Sequence, residues 1–283
     1  IPISVVIPTL GHNHITICIK KINQSSHLPK EVLIVVPKNN YNKIKLIVSS
    51  YKKLNVRVIL SKKKNQVYQR ILGFKNSKYK YVMQLDDDVE LDKKCLYNLY
   101  IFIRGKKNIA VAPKYTDKHT LSKIYKKPKN ILLKFYHWLI NSSKGYDPGN
   151  IALSGFNYSE ENIRNGSRIH EWLSGGAIMH FKKNLILKNY YPFNFYKSFC
   201  EDILHSLILR KKNIKLFKYF EAKASAKKSG NIAANKDKLK IFEDFYSEYL
   251  IRRYIVKKYK LSEIRLIIYY FIYFLRILLR IYK

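Results

Sequence analysis

The feature that most constrains this chain is a succession of short, nearly uninterrupted Val/Ile/Leu runs in its first third, each separated from the next by enough residues for a helix. Ile3 to Pro8 (ISVVIP), Glu31 to Val36 (EVLIVV), Val56 to Leu60 and Tyr81 to Leu85 read as four strands. Runs that are apolar at every position suit strands covered on both faces, as in a parallel sheet flanked by crossover helices. Residues 14–26, 40–52 and 65–76 have room for those helices. Pro8 and Pro37 stand where the first two strands end, so their missing N–H groups break no ladder. The expected class is α/β, with a Rossmann-like, mostly parallel sheet flanked by helices and a C-terminal helical appendage.

At 283 residues, 47% of them hydrophobic, the chain buries one large core more readily than two equal ones. From about 105 to 170 the pattern loosens into basic and aromatic segments punctuated by Pro128, Gly145, Pro148 and Gly149, read as loops and short helices. Regularity returns at Trp172 to Phe181, a loop followed by a strand, and at Cys200 to Arg210, a helix. Cys18, Cys95 and Cys200 are odd in number and widely spaced, which argues against a disulfide scaffold or a zinc knuckle and suits a reducing compartment. No leader-like segment opens the sequence, which begins at Ile1.

The charge balance is extreme: 55 Lys and Arg against 19 Asp and Glu, a formal net of +36. Such a surplus suits a polyanion or an anionic membrane surface, and part of it accompanies a composition rich in Lys, Asn, Ile and Tyr. The last stretch, Leu261 to Lys283, is the most apolar. Its uncharged core, Leu266 to Leu275, is far shorter than the roughly 20 residues that span a bilayer. On a helix, Lys258, Arg265, Arg276, Arg280 and Lys283 fall within a sector of roughly 60°. A basic stripe on a greasy cylinder fits the plane of a membrane interface. It fits equally a terminal helix packed on its own domain or on another subunit.

The residues with most chemical content are Asp86, Asp87 and Asp88, directly after the fourth strand. In an open parallel sheet ligands bind beyond the carboxyl ends of the strands. Adjacent carboxylates repel unless something compensates them, and a hard divalent ion such as Mg²⁺ or Mn²⁺ does so while accepting diphosphate oxygens. The alternative is a solvated turn in which Asp88 or Asp92 caps the next helix. Glu201 and Asp202 have a similar double reading, as catalytic acids or as acids favoured by a helix start. The glycines after Ser174 could simply form a tight turn, and Trp172 could be core as readily as a sugar-stacking face. Walker and GxGxxG signatures are absent, which speaks against ATPase and dehydrogenase chemistry.

Taken in order, Ile3-Ser-Val-Val-Ile-Pro-Thr9, Pro29-Lys-Glu-Val-Leu-Ile-Val-Val36, Arg70-Ile-Leu-Gly73, Leu85-Asp-Asp-Asp88, Trp172-Leu-Ser-Gly-Gly176 and Cys200-Glu-Asp202 resemble the inverting family-two glycosyltransferases of GT-A fold. The resemblance covers roughly residues 1–230. It implies a GT-A domain over 1–230, with a nucleotide-binding half at 1–104 and an acceptor-side half at 105–230; beyond it, the amphipathic pattern marks 231–283 as a helical, membrane-associating segment. Carried over, Pro8 and Thr9 would line the nucleotide pocket, with Arg70 near the base or diphosphate. Asp86 and Asp87 belong to the DXD-like cluster, Asp86 toward the ribose or a metal-bound water. Asp88, with Asp86 beside it, would hold the metal. Trp172, Gly175 and Gly176 would face the acceptor. Asp202 would be the general base, with Glu201 orienting it or the acceptor.

The implied partners are a nucleotide-sugar donor, a UDP-sugar first among them, a glycan or lipid-linked acceptor, and an anionic membrane surface, with no specific nucleic acid. The implied location is cytoplasmic, peripheral on the inner face of the plasma membrane, in surface-polysaccharide synthesis. The sequence also departs from the family. Val36 and Pro37 stand where an acid usually helps hold the base, Ile71 where an asparagine often follows the arginine, and Lys227 or Lys228 where a histidine often meets metal or diphosphate. Charged lysine is no metal ligand, but it can hold phosphate. Two other classes stay open: a basic nucleic-acid-binding protein, and a glycan-binding relative of the same fold without turnover.

Overall fold

The computed structural model describes residues 1–116, 128–159, 165–226 and 237–281. Its strands are β1 (Ile3–Pro8), β2 (Glu31–Pro37), β3 (Val56–Ser61), β4 (Tyr81–Leu85), β5 (Val89–Leu91), β6 (Ile109–Tyr115), β7 (Ser167–His170), β8 (Ala177–Phe181) and β9 (Lys215–Ala226). Its helices are α1 (His14–Asn23), α2 (Tyr41–Ser49), α3 (Gln66–Asn76), α4 (Cys95–Ile103), α5 (Ile131–Asn141), α6 (Glu201–Lys211), α7 (Lys238–Lys258) and α8 (Glu263–Ile281). The chain divides into two compact units, one of Ile1–Ser122 and Ile163–Lys227, the other of Lys123–Asn162 and Lys228–Lys283.

In the first unit the strands form one sheet in the order β3-β2-β1-β4-β8-β6-β9-β5, with β7 also paired to β9. Strands β3, β2, β1 and β4 are mutually parallel, β8 runs against β4 and β6, and β9 runs with β6. The parallel half is the part the apolar runs foretold, and its four strands and three helices fall where expected, within a residue or three. Strands β1, β2 and β4 are buried along their whole length. Helix α1 covers the sheet with Ile15, Cys18, Ile19 and Ile22, an i, i+3, i+4, i+7 stripe.

Some expectations fail for identifiable reasons. Strand β3 was read as covered on both faces, but it is the sheet edge and leaves Leu60 exposed. The acids after β4 cap no helix: Asp86–Asp88 turn into β5, and α4 begins behind Lys94. The region read as loops and short helices contains β6, a fully buried strand whose alanines, Pro113 and Lys114 dilute its apolar pattern. The three cysteines are free, as their spacing implied.

The second unit is helical. Helix α8 packs on α5 and α7, and Ile140, Tyr158, Val256, Leu266, Tyr269 and Tyr270 share its core. Residues near 140 therefore belong with the C-terminal helices, whereas the sequence pattern put a single boundary at 230/231. Arg252 joins the unit's parts by donating to the Gly155 carbonyl at 2.6 Å and to Asn157 Oδ1 at 3.1 Å. Among the described residues no helix is long and apolar enough to cross a membrane.

One glycine is demanded by close packing. A Cβ on Gly73 of α3 would sit 2.3 Å from Val6 Cγ1 of β1, nearer than carbon atoms pack. We expect Gly73→Ala to lower stability by about 1–3 kcal/mol through overpacking, despite alanine's better helix propensity. Val6→Ala should cost less in that background than in the wild type. Urea unfolding of the two single variants and the double measures both effects; additive costs would contradict the close approach.

Candidate active site

The carboxyl ends of β1 and β4 lie side by side, so the residues that follow them meet. Thr9 leaves β1 and donates its hydroxyl to Asp87, while the Gly11 N–H donates back to Thr9 Oγ1 at 2.9 Å. Asp86 leaves β4 and donates its backbone N–H to the Gly176 carbonyl at 2.8 Å. That bond continues the antiparallel register of β4 with β8, in which Leu85 faces Ala177. Gly176 is thus held against the acids, where a Cβ would meet Tyr115 Oη at 2.7 Å and Val89 Cγ2 at 3.1 Å. A Cβ on Gly175 would lie 3.2 Å from Glu201 Oε2 and 3.4 Å from Asp202 Cβ, so this glycine packs against the start of α6.

Helix α3 lies beneath this cluster and presents one face to it, residues 66, 69 and 70. Gln66 Nε2 donates to Asp86 Oδ1 at 3.1 Å. Gln69 Nε2 donates to the carbonyls of Thr9 and Val35, at 2.8 and 2.7 Å, tying the ends of β1 and β2 together. Arg70 donates from one nitrogen to Asp86 Oδ1 at 2.9 Å and from another to Glu201 Oε2 at 2.7 Å. Its side chain is 1% exposed. The sequence placed Arg70 beside the base or diphosphate; the structure puts it under the acids, its guanidinium already occupied by two of them. Tyr190 donates its hydroxyl to the other oxygen of Glu201.

Glu201 and Asp202 form the first turn of α6, behind Cys200 in a left-handed conformation at φ 50°. The acids sit at a helix start, as one of their readings has it, and Arg70 ties that start to Asp86. Asp202 Oδ1 accepts from the Ile203 N–H at 2.9 Å. Burial pushes the Glu201 carboxyl up, but Arg70, first among several neighbours that include the Tyr190 hydroxyl, draws it back below its ordinary range. The triplet behaves in the opposite way. Burial raises Asp86 against the pull of Arg70, raises Asp87 against the Thr9 hydrogen bond, and raises Asp88 with help from the Asp87 charge.

Residues 4–167 match the family described as Glycosyl transferase family 2. The chain belongs to that family. Its fold is GT-A-like, a mixed, mostly parallel α/β sheet with flanking helices and C-terminal helices α7 and α8. No curated protein matches by sequence. Among solved structures, GalNAc-T7 with UDP, GalNAc and Mn²⁺ superposes with TM-score 0.60 at 14% identity, over 87% of this chain and 50% of that one. Staphylococcus aureus TarS 1-349 with UDP-GlcNAc gives 0.53 at 16%, over 89% and 65%. The mannosyltransferase PcManGT of Pyrobaculum calidifontis with GDP-Man and Mn²⁺ gives 0.50 at 12%, over 82% and 59%. The chain spans half to just under two thirds of the length of these structures.

For a metal, the side chains present form a partial donor set. Asp86 is engaged by Arg70 and Gln66, and Asp87 by Thr9, whereas Asp88 accepts from its own backbone N–H and from no other residue's side chain among the described residues. No group of three or more His, Cys, Asp or Glu side chains among the described residues converges as a cage. Mg²⁺ and Mn²⁺ need none: they take one or two carboxylates and complete their shell with phosphate and water. Three crowded carboxylates that burial holds above their ordinary range fit a cation arriving with a diphosphate.

The structure brings Thr9, Arg70, Asp86, Asp87, Gly175, Gly176 and Glu201 into one hydrogen-bonded or contacting cluster, with Asp88 and Asp202 on its edge. Pro8 closes β1 beside Thr9, and Trp172 lies, half-buried, on the segment leading to Gly175. Lys227 and Lys228 lie outside the described residues. Sequence reasoning missed Gln66, Gln69 and Tyr190. The two glutamines share a helix face with Arg70, and that spacing was readable once α3 was drawn; nothing local marked Tyr190. His14 and Lys197, also passed over, add favourable charge near Asp88.

Beside the cluster, His205 of α6 and His180 of β8 face each other with ring centroids 5.4 Å apart. Burial lowers His205 to about 4 and holds His180 well below the ordinary imidazole range. His205 takes up its proton near pH 6.5 in the unfolded chain and only near 4 in the fold, and His180 is displaced in the same direction, so stability should fall as pH drops below about 6.5. We expect a loss approaching about 1.4 kcal/mol per pH unit per histidine. Urea unfolding at pH 7 and pH 5 checks it, and His205→Gln should show a shallower dependence; identical slopes would contradict neutral burial.

Proposed function

We propose that the protein is an inverting glycosyltransferase that moves one sugar from a nucleoside-diphosphate sugar to a glycan or lipid-linked acceptor. The observation that carries this reading is that Arg70 joins Asp86, at the carboxyl end of a parallel strand, to Glu201, at the start of the helix that bears Asp202. Donor-side and acceptor-side acids thereby share one site. Family membership supports the activity, and the neighbouring structures, described with UDP, UDP-GlcNAc or GDP-Man, support a nucleotide-sugar donor. We take UDP-sugars as the first donors to test.

In this reading Pro8 and Thr9 line the nucleotide, and Asp86 and Asp87 order the loop against it. Asp88, with Asp86 beside it, would hold Mg²⁺ or Mn²⁺, which when bound beside a diphosphate offsets the charge on the departing group. Asp202 accepts the proton of the acceptor hydroxyl as it attacks opposite the leaving diphosphate, which inverts the anomeric centre. Gly175 and Gly176 let substrate approach the backbone, and Trp172 offers a ring to an acceptor sugar. Arg70 acts through Asp86 and Glu201 as a positioning residue, and Lys227 is retained as a phosphate contact. We place the protein at the inner face of a plasma membrane, in the synthesis of surface polysaccharide. A nucleic-acid ligand is disfavoured, because the acid cluster would repel a phosphate backbone.

Calorimetry with UDP-, GDP-, CMP- and dTDP-sugars in the presence of Mn²⁺ tests the reading. One donor should bind in a metal-dependent way, and Asp88→Ala should weaken it at least about tenfold, or 1.4 kcal/mol. Asp202→Asn should keep donor affinity and lose turnover by about 10²–10⁴-fold. Unchanged donor affinity in Asp88→Ala would overturn the metal assignment, and donor binding without any turnover in the wild type would point to the glycan-binding alternative.

A further inference from the structure

Helix α8 has two apolar faces. One is packed: Leu266, Tyr269, Tyr270 and Ile277 are buried in the second unit. The other is bare. Ile264, Ile267, Phe271, Leu275 and Leu279 recur at intervals of three and four residues and are 43% to 72% exposed. At 100° per residue this stripe lies roughly opposite the packed face, and at 1.5 Å per residue it runs for about 22 Å. An ordinary surface helix has one apolar face and turns it inward. A second, outward face costs solubility and contributes nothing to the fold.

The neighbouring helix repeats the pattern. On α5, Ile131, Leu132, Phe135 and Trp138 occupy one face and are 49% to 79% exposed, with Phe135 and Trp138 stacked at 5.8 Å. The two helices are fastened together. Arg265 of α8 donates to the carbonyls of Trp138 and Leu139 at 2.7 and 2.6 Å and lies over the Trp138 ring, and Arg276 lies over the ring of Tyr136. The bare stripes therefore belong to one rigid pair of helices.

Charge selects the occupant. Among their described side chains the two helices carry Lys134, Arg265 and Arg276 against a single acid, Glu263, which Lys257 and Arg253 already approach at 3.6 and 3.8 Å. Arg265 and Arg276 both lie about 100–120° from the centre of the stripe of α8, along one side of it and away from its apolar middle. A second copy of the chain would bring the same cations against these, on top of a net charge of +36 per chain. An anionic bilayer accepts both features at once, since apolar side chains enter the acyl boundary while cations stay at the headgroups. α8 lies too short of apolar length, and too charged, to enter any deeper.

We propose that α5 and α8 form a bilayer-docking face that binds anionic phospholipid, with the bare stripes of both helices inserted at the interface. The inference gives the membrane location proposed above a physical surface and rests on that part of it. It does not depend on which acid is the base, so the two readings fail separately.

Flotation of the full chain with vesicles tests it. The protein should partition at least about tenfold more strongly onto phosphatidylcholine vesicles containing about a third phosphatidylglycerol than onto phosphatidylcholine alone. Ile267→Glu combined with Phe271→Glu should reduce that partitioning at least about tenfold, and Trp138→Glu on α5 should weaken it as well. Because Ile267 and Phe271 are exposed, thermal unfolding and donor binding of the α8 variant should stay as in the wild type. Absence of wild-type binding, equal binding to both vesicles, or binding unaffected by the α8 substitutions would overturn the proposal. An unaffected Trp138→Glu would remove α5 from it. A stable dimer in sedimentation velocity that the same substitutions dissociate would assign the face to a second copy.

Discussion

The site is organised around a single buried guanidinium. Arg70 holds Asp86 with one nitrogen and Glu201 with another, and so fixes the end of β4 relative to the start of α6, residues 131 positions apart in the chain in the case of Arg70 and Glu201. Two unlike charges about 4 Å apart gain roughly 4 kcal/mol at an effective dielectric of 20, and taking them from water costs a comparable amount. The net stabilisation is therefore small, while the penalty for removing one partner is large: about 3–5 kcal/mol, because the other charge is left stranded. That asymmetry makes the arrangement specific rather than strong. Asp86 and Glu201 are thereby held oriented and together, so the geometry between them is already made.

How much of this was legible depends on how local the signal is. The parallel half of the sheet was readable because its strands are continuous apolar runs and its helices fill the gaps between them. Strand β6 was not, since Ala110, Ala112 and Lys114 look like loop residues until neighbouring strands cover them. Helix α5 escaped for a related reason: apolar residues exposed at Ile131, Leu132 and Trp138 blur its period. In the site, the identities of Thr9, Asp86–Asp88, Gly175, Gly176, Glu201 and Asp202 came from motifs in order along the chain. Their connections did not. That Arg70 reaches two acids is a fact of burial, and Tyr190 reaches Glu201 from a stretch with no regular pattern at all.

The surplus of positive charge also separates into parts once the fold is known. Some cations work inside the structure, Arg70 and Arg252 among them, both nearly inaccessible. Others line a cleft of about 660 Å³ made by Lys80, Lys106, Lys107, Lys182 and Lys183 near Phe181, at the end of β4 away from the acids. Those on α5 and α8 border apolar side chains that stand exposed among the described residues. Net charge alone pointed vaguely at polyanions; its placement beside a bare apolar stripe narrows that to an interface with both a charged and a greasy layer.

The account stands or falls on whether Arg70 and Glu201 act as one unit. A double-mutant cycle of Arg70→Met and Glu201→Gln, read in both unfolding free energy and donor turnover, measures this directly. The expected result is strong coupling, with the double variant losing clearly less than the sum of the single losses, by about 1–3 kcal/mol in stability. Additive losses in both readouts would mean that the two residues contribute independently, and that the shared site described here is not held together by their contact.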